Sequence, residues 1–269
     1  MCESCGCGDH ELVPLEIQEK ILAGNETTAR HNREHFAARG VLAINLMGSP
    51  GAGKTAVLEA TAKRLAGSWR LAAMSGDLAT DRDAQRLQAA GIPSLSITTG
   101  SACHLDARLV HDALHQLPWE RSDVLFVENV GNLVCPAVYD LGQHANVVAL
   151  SVTEGEDKPL KYPVMFRVAD LVLITKADLL PHLLDVSLSK IRENLARVMP
   201  AAEAIVVSRG DSDPGITEWI EWLQRRRDVV RPPGVMFHPA VAHAHRHAVD
   251  LSRRPPVDLP PGHPRGIEP

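Results

Sequence analysis

A glycine-rich loop between an apolar segment and a helix-forming segment constrains the fold of this chain most strongly. The loop Gly48-Ser49-Pro50-Gly51-Ala52-Gly53-Lys54-Thr55 matches the pattern G-x-x-x-x-G-K-[ST] at every position. Residues 41–47 before it are nearly all apolar, as in a strand that is buried on both faces. Small residues let the backbone N–H groups of the loop, and those at the start of the next helix, approach phosphate oxygens. The sequence therefore predicts a phosphate-binding loop within an α/β fold.

Strand and helix patterns alternate along residues 41–230. Apolar runs predict strands at 41–47, 71–74, 124–127, 147–152, 171–174 and 204–207. Helical patterns lie at 54–65, 81–90, 105–117, 186–198 and 216–226. This alternation is typical of an α/β fold with a mostly parallel sheet and helices on both faces, as in P-loop NTPases.

The phosphate loop supplies the first candidate binding residues. We expect the nucleotide to contact Gly48, Ser49, Gly51, Ala52, Gly53, Lys54 and Thr55. Lys54 would reach the β- and γ-phosphates, and the Thr55 hydroxyl would bind Mg²⁺.

Mg²⁺ needs further oxygen ligands, and two carboxylates follow predicted strands. Asp77 and Glu128 are therefore candidate Mg²⁺ ligands and, with Lys54, candidate catalytic residues. Glu128-Asn129-Val130-Gly131 resembles a D-x-x-G switch motif, in which Gly131 would offer its N–H to the γ-phosphate. The alternative is that either carboxylate merely caps a strand or loop.

Residues 174–178 indicate which base is bound. Thr175-Lys176-Ala177-Asp178 resembles the N-K-x-D guanine motif, in which Asp178 would accept hydrogen bonds from guanine N1–H and N2–H₂ and Lys176 would lie along the base. Thr175 replaces the usual Asn, and a hydroxyl offers fewer hydrogen bonds than an amide. Ser208 lies in an altered form of the second guanine loop. We expect GTP as the ligand; the alternative is that Lys176 and Asp178 form a surface turn.

Three of the five cysteines, Cys2, Cys5 and Cys7, lie in the first seven residues. The segment is too short and glycine-rich to bury a core, and thiolates prefer soft metal ions. We expect a soft-metal site, while a small disulfide or an ordinary chain terminus remain alternatives.

Cys103, His104 and Cys135 form a second set of candidate metal ligands. Their donor atoms suit Zn²⁺ or Ni²⁺. Because a helix is predicted from residue 105, Cys103 would lie near a helix start, where the thiolate is favoured. Taken singly, each is more typical of a buried core cysteine or an ordinary surface histidine than of a metal ligand, and the sequence does not show that the three meet.

The composition excludes some function classes. The formal net charge of −5 gives no general affinity for nucleic acid, and no run approaches the roughly 20 apolar residues of a membrane helix. The N-terminus lacks a signal-peptide pattern, so we expect a cytoplasmic protein without a membrane or nucleic-acid partner.

The expected organisation has four parts. Residues 1–12 form a flexible Cys-rich metal-binding arm, 13–40 an N-terminal helical segment and 41–230 a P-loop GTPase domain. Residues 231–269 hold nine of the 19 prolines together with several histidines, which favours a disordered C-terminal tail over a metal site.

These motifs together resemble the HypB family, GTPases that help to insert nickel into [NiFe]-hydrogenase. The likeness covers residues 1–9 and about 14–227, including the Cys2-x-x-Cys5-Gly6-Cys7 arm, the phosphate loop and the segments 76–81, 100–106, 128–136 and 154–163. The related urease nickel GTPase shares the loop but lacks the arm.

The resemblance implies a GTP-hydrolysing nickel metallochaperone with slow intrinsic turnover. It implies a tight Ni²⁺ site at Cys2, Cys5 and Cys7, and a weaker Ni²⁺ or Zn²⁺ site at Cys103, His104 and Cys135 near a GTP-promoted homodimer interface. Implied partners are a HypA-type nickel and zinc protein, SlyD, and indirectly the hydrogenase large subunit. If Cys135 lies on a loop that responds to the γ-phosphate, nucleotide and metal binding are coupled.

Two other functions remain open at this point. The first is a nickel or zinc storage or buffering protein whose nucleotide site is vestigial, against which the intact Lys54, Thr55 and Asp178 argue. The second is an ATP-dependent kinase, against which Asp178 argues because adenine cannot offer the same pair of donors.

Overall fold

The structure is a computed structural model that describes residues 15–77, 80–100, 102–199, 203–210 and 213–231, with side chains from residue 20 onward. The predictions for the arm at 1–12, with Cys2, Cys5 and Cys7, and for the tail from residue 232 lie outside the described residues. None of the described helices combines the length and the apolar character that a bilayer-spanning segment needs.

In the described part of the chain, seven strands form one sheet in which all neighbours are parallel. The strands are β1 (Leu42–Met47), β2 (Leu71–Asp77), β3 (Ser94–Thr98), β4 (Val124–Glu128), β5 (Ala145–Ser151), β6 (Leu171–Thr175) and β7 (Glu203–Val206). Their order across the sheet is β3-β2-β4-β1-β5-β6-β7. The predicted parallel α/β fold is confirmed.

Eight α-helices lie in the described residues. They are α1 (Leu15–Arg39), α2 (Lys54–Leu65), α3 (Arg82–Ala89), α4 (Ala107–Leu114), α5 (Lys158–Lys161), α6 (Pro163–Arg167), α7 (Leu188–Val198) and α8 (Pro214–Val230). Alternate strand residues face opposite sides of the sheet, so each face has its own core. Ile44 packs with Leu58 of α2 and Trp219 of α8, whereas Ala43 belongs to the core that holds Phe36 of α1.

Strand β3 was not predicted from the sequence. Ser94–Thr98 alternates polar and apolar residues and lies at the edge of the sheet, so only part of it is buried. Most of the predicted strands show nearly continuous apolar runs, as expected for strands that are covered on both faces. The short helices α5 and α6 were also missed, since four or five residues are too few to show a helical period.

Two predicted positions need correction. Helix α4 begins at Ala107 with Asp106 as its N-cap, not at residue 105, because the Asp106 side chain accepts a hydrogen bond from Leu109 N. Cys103 therefore lies in the preceding loop, and the helix start does not account for its chemistry. Asp77 and Glu128 are the last residues of β2 and β4 rather than the first residues after them.

Candidate functional site

The phosphate loop joins the end of β1 to the start of α2, and its glycines adopt conformations that other residues rarely adopt. Gly48, Gly51 and Gly53 have φ angles of 144°, 74° and 92°. A Cβ on Gly48 would lie 2.4 Å from the carbonyl oxygen of Ala149 in β5. Gly48 also pairs with Asn132 in an isolated antiparallel bridge. The loop is therefore held between β5 and the segment that follows β4.

Lys54 is the cation of this loop. Its side chain is buried, and Nζ donates hydrogen bonds to the carbonyl oxygens of Gly48 and Ser49, each at 3.2 Å. Burial lowers the pKa of Lys54, while the nearby carboxylates of Glu128 and others oppose that shift. The Ser49 hydroxyl donates to Glu154, so this predicted nucleotide contact also ties the loop to the end of β5.

Thr55 lies between two carboxylates. Its Oγ1 is 2.9 Å from Oε1 of Glu128 and 2.9 Å from Oδ1 of Asp83 in α3. A hydroxyl has a single proton to donate, so it satisfies only one of the two oxygens at a time. Thr55 and Glu128 were predicted from their motifs, whereas Asp83 belongs to no motif and comes close only through the packing of α3 on α2.

The environment of Glu128 fits a bound divalent cation. Its Oε2 is buried without a hydrogen-bond partner among the described residues. Burial raises the pKa of Glu128 to about 7, and the nearby carboxylate of Asp83 adds to this against the opposing charge of Lys54. An ion that prefers oxygen ligands would engage the unpaired oxygen and favour the ionised carboxylate. Thr55, Glu128 and Asp83 thus offer the oxygen atoms that Mg²⁺ requires.

Asp77 and Gly131 border the same space. Asp77 accepts hydrogen bonds from the backbone N–H and the hydroxyl of Thr80. A Cβ on Gly131 would lie 2.7 Å from the Pro50 side chain, so only glycine permits this approach to the phosphate loop. Both residues line a cavity of about 410 Å³ together with Lys54, Thr55, Asp83, Arg86 and Glu128.

A second cavity, of about 590 Å³, adjoins the first, since Gly53, Ala56 and Arg86 line both. Its other walls include the four residues predicted to bind the base, Thr175, Lys176, Asp178 and Ser208. The two cavities together follow the order of a nucleoside triphosphate, with phosphates at the start of α2 and the base beyond β6.

The base-site residues have distinct contacts. The Thr175 hydroxyl donates to the carbonyl oxygen of Ala52 at 2.6 Å, which fastens the end of β6 to the phosphate loop. Lys176 adopts a left-handed conformation with φ of 57°. Asp178 Oδ1 accepts the backbone N–H of Arg209 at 2.9 Å, which uses one of its two carboxylate oxygens. Ser208 N donates to Asp213 at 2.9 Å, so the loop after β7 is anchored next to Asp178.

Cys103, His104 and Cys135 come together, which the sequence alone did not show. The two Sγ atoms are 3.2 Å apart without a disulfide, Cys103 Sγ is 3.8 Å from His104 Nδ1, and one ligand atom from each residue lies within 4.8 Å of the others. His104 stacks on Tyr139 with ring centroids 4.0 Å apart. Burial lowers the pKa of His104, which favours the neutral ring that binds metals. This donor set fits Zn²⁺ or Ni²⁺.

Two asparagines connect the thiol site to the phosphate loop through residues 128–136, which we term the switch segment. Asn129 Oδ1 accepts the backbone N–H of Leu105 at 3.1 Å. Asn132 Nδ2 donates to the carbonyl oxygen of Cys103 at 3.3 Å, and the same residue forms the backbone bridge to Gly48. Neither contact was predicted from the sequence, although both asparagines lie in 128–136, one of the segments that resemble the HypB family.

Comparison with known proteins agrees with this geometry. Residues 42–206 match the family model described as CobW/HypB/UreG, nucleotide-binding domain. The chain is 48% identical to the hydrogenase maturation factor HypB of Azotobacter vinelandii, over 79% of this chain and 70% of the relative. It is 46% identical to the HypB of Escherichia coli K12, over 79% of this chain and 73% of the relative.

A solved structure shows the same fold. The crystal structure of HypB from Helicobacter pylori in complex with nickel superposes with a TM-score of 0.71 at 37% identity, covering 79% of this chain and all of that one. Fold, phosphate loop and family model together define a P-loop nucleotide-binding protein of the CobW/HypB/UreG class. Within that class, the chain belongs to the HypB family of hydrogenase maturation factors.

Proposed function

We propose that this protein is a GTP-hydrolysing nickel metallochaperone for [NiFe]-hydrogenase maturation. Nucleotide state controls the binding of Ni²⁺ or Zn²⁺ at Cys103, His104 and Cys135. The observation that carries the proposal is the short series of contacts from Gly48 through Asn132 to Cys103, which links the phosphate loop to the thiol site.

Guanine is the base that best matches the second cavity. The Asp178 carboxylate is anchored by Arg209 N at 2.9 Å, which leaves its other oxygen for a donor on the base. Guanine offers two adjacent donors, whereas adenine presents an acceptor at N1. Thr175 contributes mainly by holding Ala52 of the phosphate loop, since its hydroxyl is already bonded there.

Hydrolysis transfers the γ-phosphoryl group of GTP to water, giving GDP and phosphate. Lys54 would stabilise negative charge between the β- and γ-phosphates, while Thr55, Glu128 and either Asp83 or Asp77 would hold Mg²⁺. If bound, Mg²⁺ would neutralise negative charge on the β- and γ-phosphate groups. As the resemblance to the HypB family implies, we expect slow intrinsic turnover.

The switch segment would carry the signal between nucleotide and metal. It begins at Glu128, beside the proposed Mg²⁺ position, and it contains Cys135. Loops that order around a γ-phosphate and relax after hydrolysis are a known form of switch. Because coupling between two ligands is reciprocal, metal at the thiol site also alters nucleotide affinity.

The remaining parts of the proposal concern cargo and partners. The tighter Ni²⁺ site would be formed by Cys2, Cys5 and Cys7. The protein would form a GTP-promoted homodimer. Its other partners would be a HypA-type protein, SlyD and, indirectly, the hydrogenase large subunit. The related H. pylori protein binds nickel in its crystal structure, which supports nickel as the cargo. We place the protein in the cytoplasm.

Metal titrations with and without nucleotide test the coupling. In the full-length protein we expect Mg²⁺ and a non-hydrolysable GTP analogue to change Zn²⁺ affinity at the thiol site by about 5–150-fold, the usual range of allosteric coupling. Lys54→Ala, which cannot bind the triphosphate tightly, should retain metal binding but lose the nucleotide effect. Cys135→Ala should lose the response of GTP turnover to metal.

Two results would overturn the proposal. If wild type and Cys135→Ala respond identically to Zn²⁺ and Ni²⁺, the thiol site is not the source of the response. If wild type hydrolyses GTP no faster than Lys54→Ala while both bind nickel, the protein stores metal without using its nucleotide site.

A further inference from the structure

A cluster of histidines lies between α1 and α4 and shares no residue with the thiol site. His31 and His35 are one turn apart on α1, and His111 faces them from α4. One ring nitrogen from each of the three lies within 4.8 Å of the others. His115, one turn beyond His111, contacts that ring edge-on with centroids 5.0 Å apart.

The rings contact one another rather than pointing apart into solvent. The Nε2 atoms of His31 and His35 are 2.9 Å apart. The centroid of the His111 ring is 5.1 Å from that of His31 and 5.8 Å from that of His35. A tetrahedral ion with metal–nitrogen bonds of ~2.0–2.1 Å separates its ligand nitrogens by about 3.3 Å, so a small adjustment would accommodate one.

A buried asparagine fixes the His111 ring in a form suited to metal binding. Asn32 Nδ2 donates to the carbonyl oxygens of Ala107 and Leu141, at 2.8 and 3.1 Å, so the amide orientation is set. Its Oδ1 must then accept the proton of His111 Nδ1, at 2.9 Å. The lone pair of His111 is left on Nε2, and such orientation of one ring nitrogen by a neighbouring acceptor is usual for metal-binding histidines.

The immediate surroundings favour neutral rings. Burial, together with the neighbouring histidines, lowers the pKa of His35 and of His111. Glu34 lies near the cluster, with a carboxylate oxygen 4.0 Å from Nδ1 of His31. Neutral imidazole is the form that coordinates a metal ion.

We propose that His31, His35 and His111 form a metal site for a borderline divalent ion such as Zn²⁺ or Ni²⁺, bound by imidazole nitrogens alone. Three imidazoles leave a further coordination position for water or for a group from another molecule. The ion would join α1 to α4, because two ligands come from one helix and the third from the other. The proposal stands on this geometry and does not depend on GTP hydrolysis or on the thiol site.

The test compares full-length variants by metal content and by spectrum. His31→Gln/His35→Gln removes two ligands, and both positions are at least partly exposed, so folding should persist. His182→Gln is the matched control, since His182 is an exposed histidine outside the cluster. After dialysis against a fixed free Zn²⁺ concentration, we expect the double variant to bind one ion fewer per chain than wild type and than His182→Gln.

Co²⁺ identifies which ligands account for the lost ion. Cysteine ligands add a sulphur-to-cobalt charge-transfer band that imidazole ligands lack. We expect the double variant to lose d–d absorbance while the charge-transfer band stays unchanged. Zn²⁺ should also raise the melting temperature of wild type more than that of the double variant, because the ion connects two helices.

Three outcomes would overturn the proposal. The double variant could retain the wild-type Zn²⁺ content, the missing ion could carry the charge-transfer band, or His182→Gln could lose as much metal as the double variant. Histidines of the C-terminal tail are identical in all three proteins, so their contribution cancels in each comparison.

Discussion

Replacement of Glu128 by glutamine should make the protein more stable while weakening its nucleotide site. Glu128 is only 3% exposed, and its Oε2 has no hydrogen-bond partner among the described residues. Burial is the main reason that its pKa is about 7 instead of 4.5. That interval corresponds to about 3 kcal/mol at ~1.4 kcal/mol per pH unit, which is the cost of keeping this carboxylate ionised in the folded protein at high pH.

The sign of the pH dependence follows from the direction of this shift. Because the folded pKa lies above the unfolded one, the contribution of Glu128 to stability is fully present below about pH 4.5. It is lost as the pH rises through 7. Glutamine cannot ionise, so the variant does not lose this stability as the pH rises. The attraction of the Lys54 ammonium is already contained in this pKa, so we expect a net gain of about 3 kcal/mol at pH 8 and less than about 1 kcal/mol at pH 5.

Urea unfolding in chelator-treated buffer without nucleotide measures this difference. The free energy of unfolding of wild type should fall relative to that of Glu128→Gln between pH 5 and pH 8. Glu221→Gln makes the same chemical change at an exposed position on α8 and should follow wild type. Mg²⁺-dependent GTP binding should weaken in Glu128→Gln alone. If wild type and Glu128→Gln show the same pH dependence, Glu128 is not the buried, strained carboxylate that we infer.

Three further substitutions test the loop and the base site. Gly48→Ala should abolish GTP binding in a fluorescent-nucleotide titration, because φ is 144° and the new Cβ would lie 2.4 Å from Ala149 O; an unchanged Kd would contradict this. Thr175→Val removes the hydroxyl that donates to Ala52 O. Because a hydrogen bond contributes ~0.5–1.5 kcal/mol, GTP binding should weaken roughly 2–10-fold, whereas Thr175→Ser should bind like wild type. Asp178→Asn should bind GTP more weakly and xanthosine triphosphate more strongly, because xanthine presents a carbonyl where guanine presents an amino group; an unaltered preference in competition assays would remove Asp178 from base recognition.

The sequence predicted the fold well where strands are covered on both sides. β1 and β6 are buried along their whole length, and all of their residues except Asn45 and Thr175 are apolar, so each forms a clear apolar run. β3 escaped detection because its edge position leaves Leu95 and Ser96 only partly buried, so no strong pattern is required there. An edge position does not by itself prevent detection, because β7 at the other edge carries the apolar run 204–207 that was predicted.

Site residues within motifs were identified, and those that come together only through packing were not. Asp83 reaches Thr55 because α3 lies beside α2, and no local spacing encodes that contact. The same holds for His31 and His111, which belong to different helices and are separated widely in the chain. The spacing of residues in the sequence predicts which side chains share one helix or strand, whereas contacts between helices and strands depend on the whole fold.

The meeting of Cys103 and Cys135 illustrates why these non-local contacts matter. The two thiols follow β3 and β4, which are not neighbours, because β2 lies between them in the sheet. They meet because the loop after β3 turns back toward the switch segment, where Asn129 accepts Leu105 N and Asn132 donates to Cys103 O. Since Asn132 also pairs with Gly48, a displacement of the phosphate loop alters the backbone that supports a thiol. These hydrogen bonds give the proposed coupling between nucleotide and metal a physical route, because coupling requires that both sites act on a shared structural element.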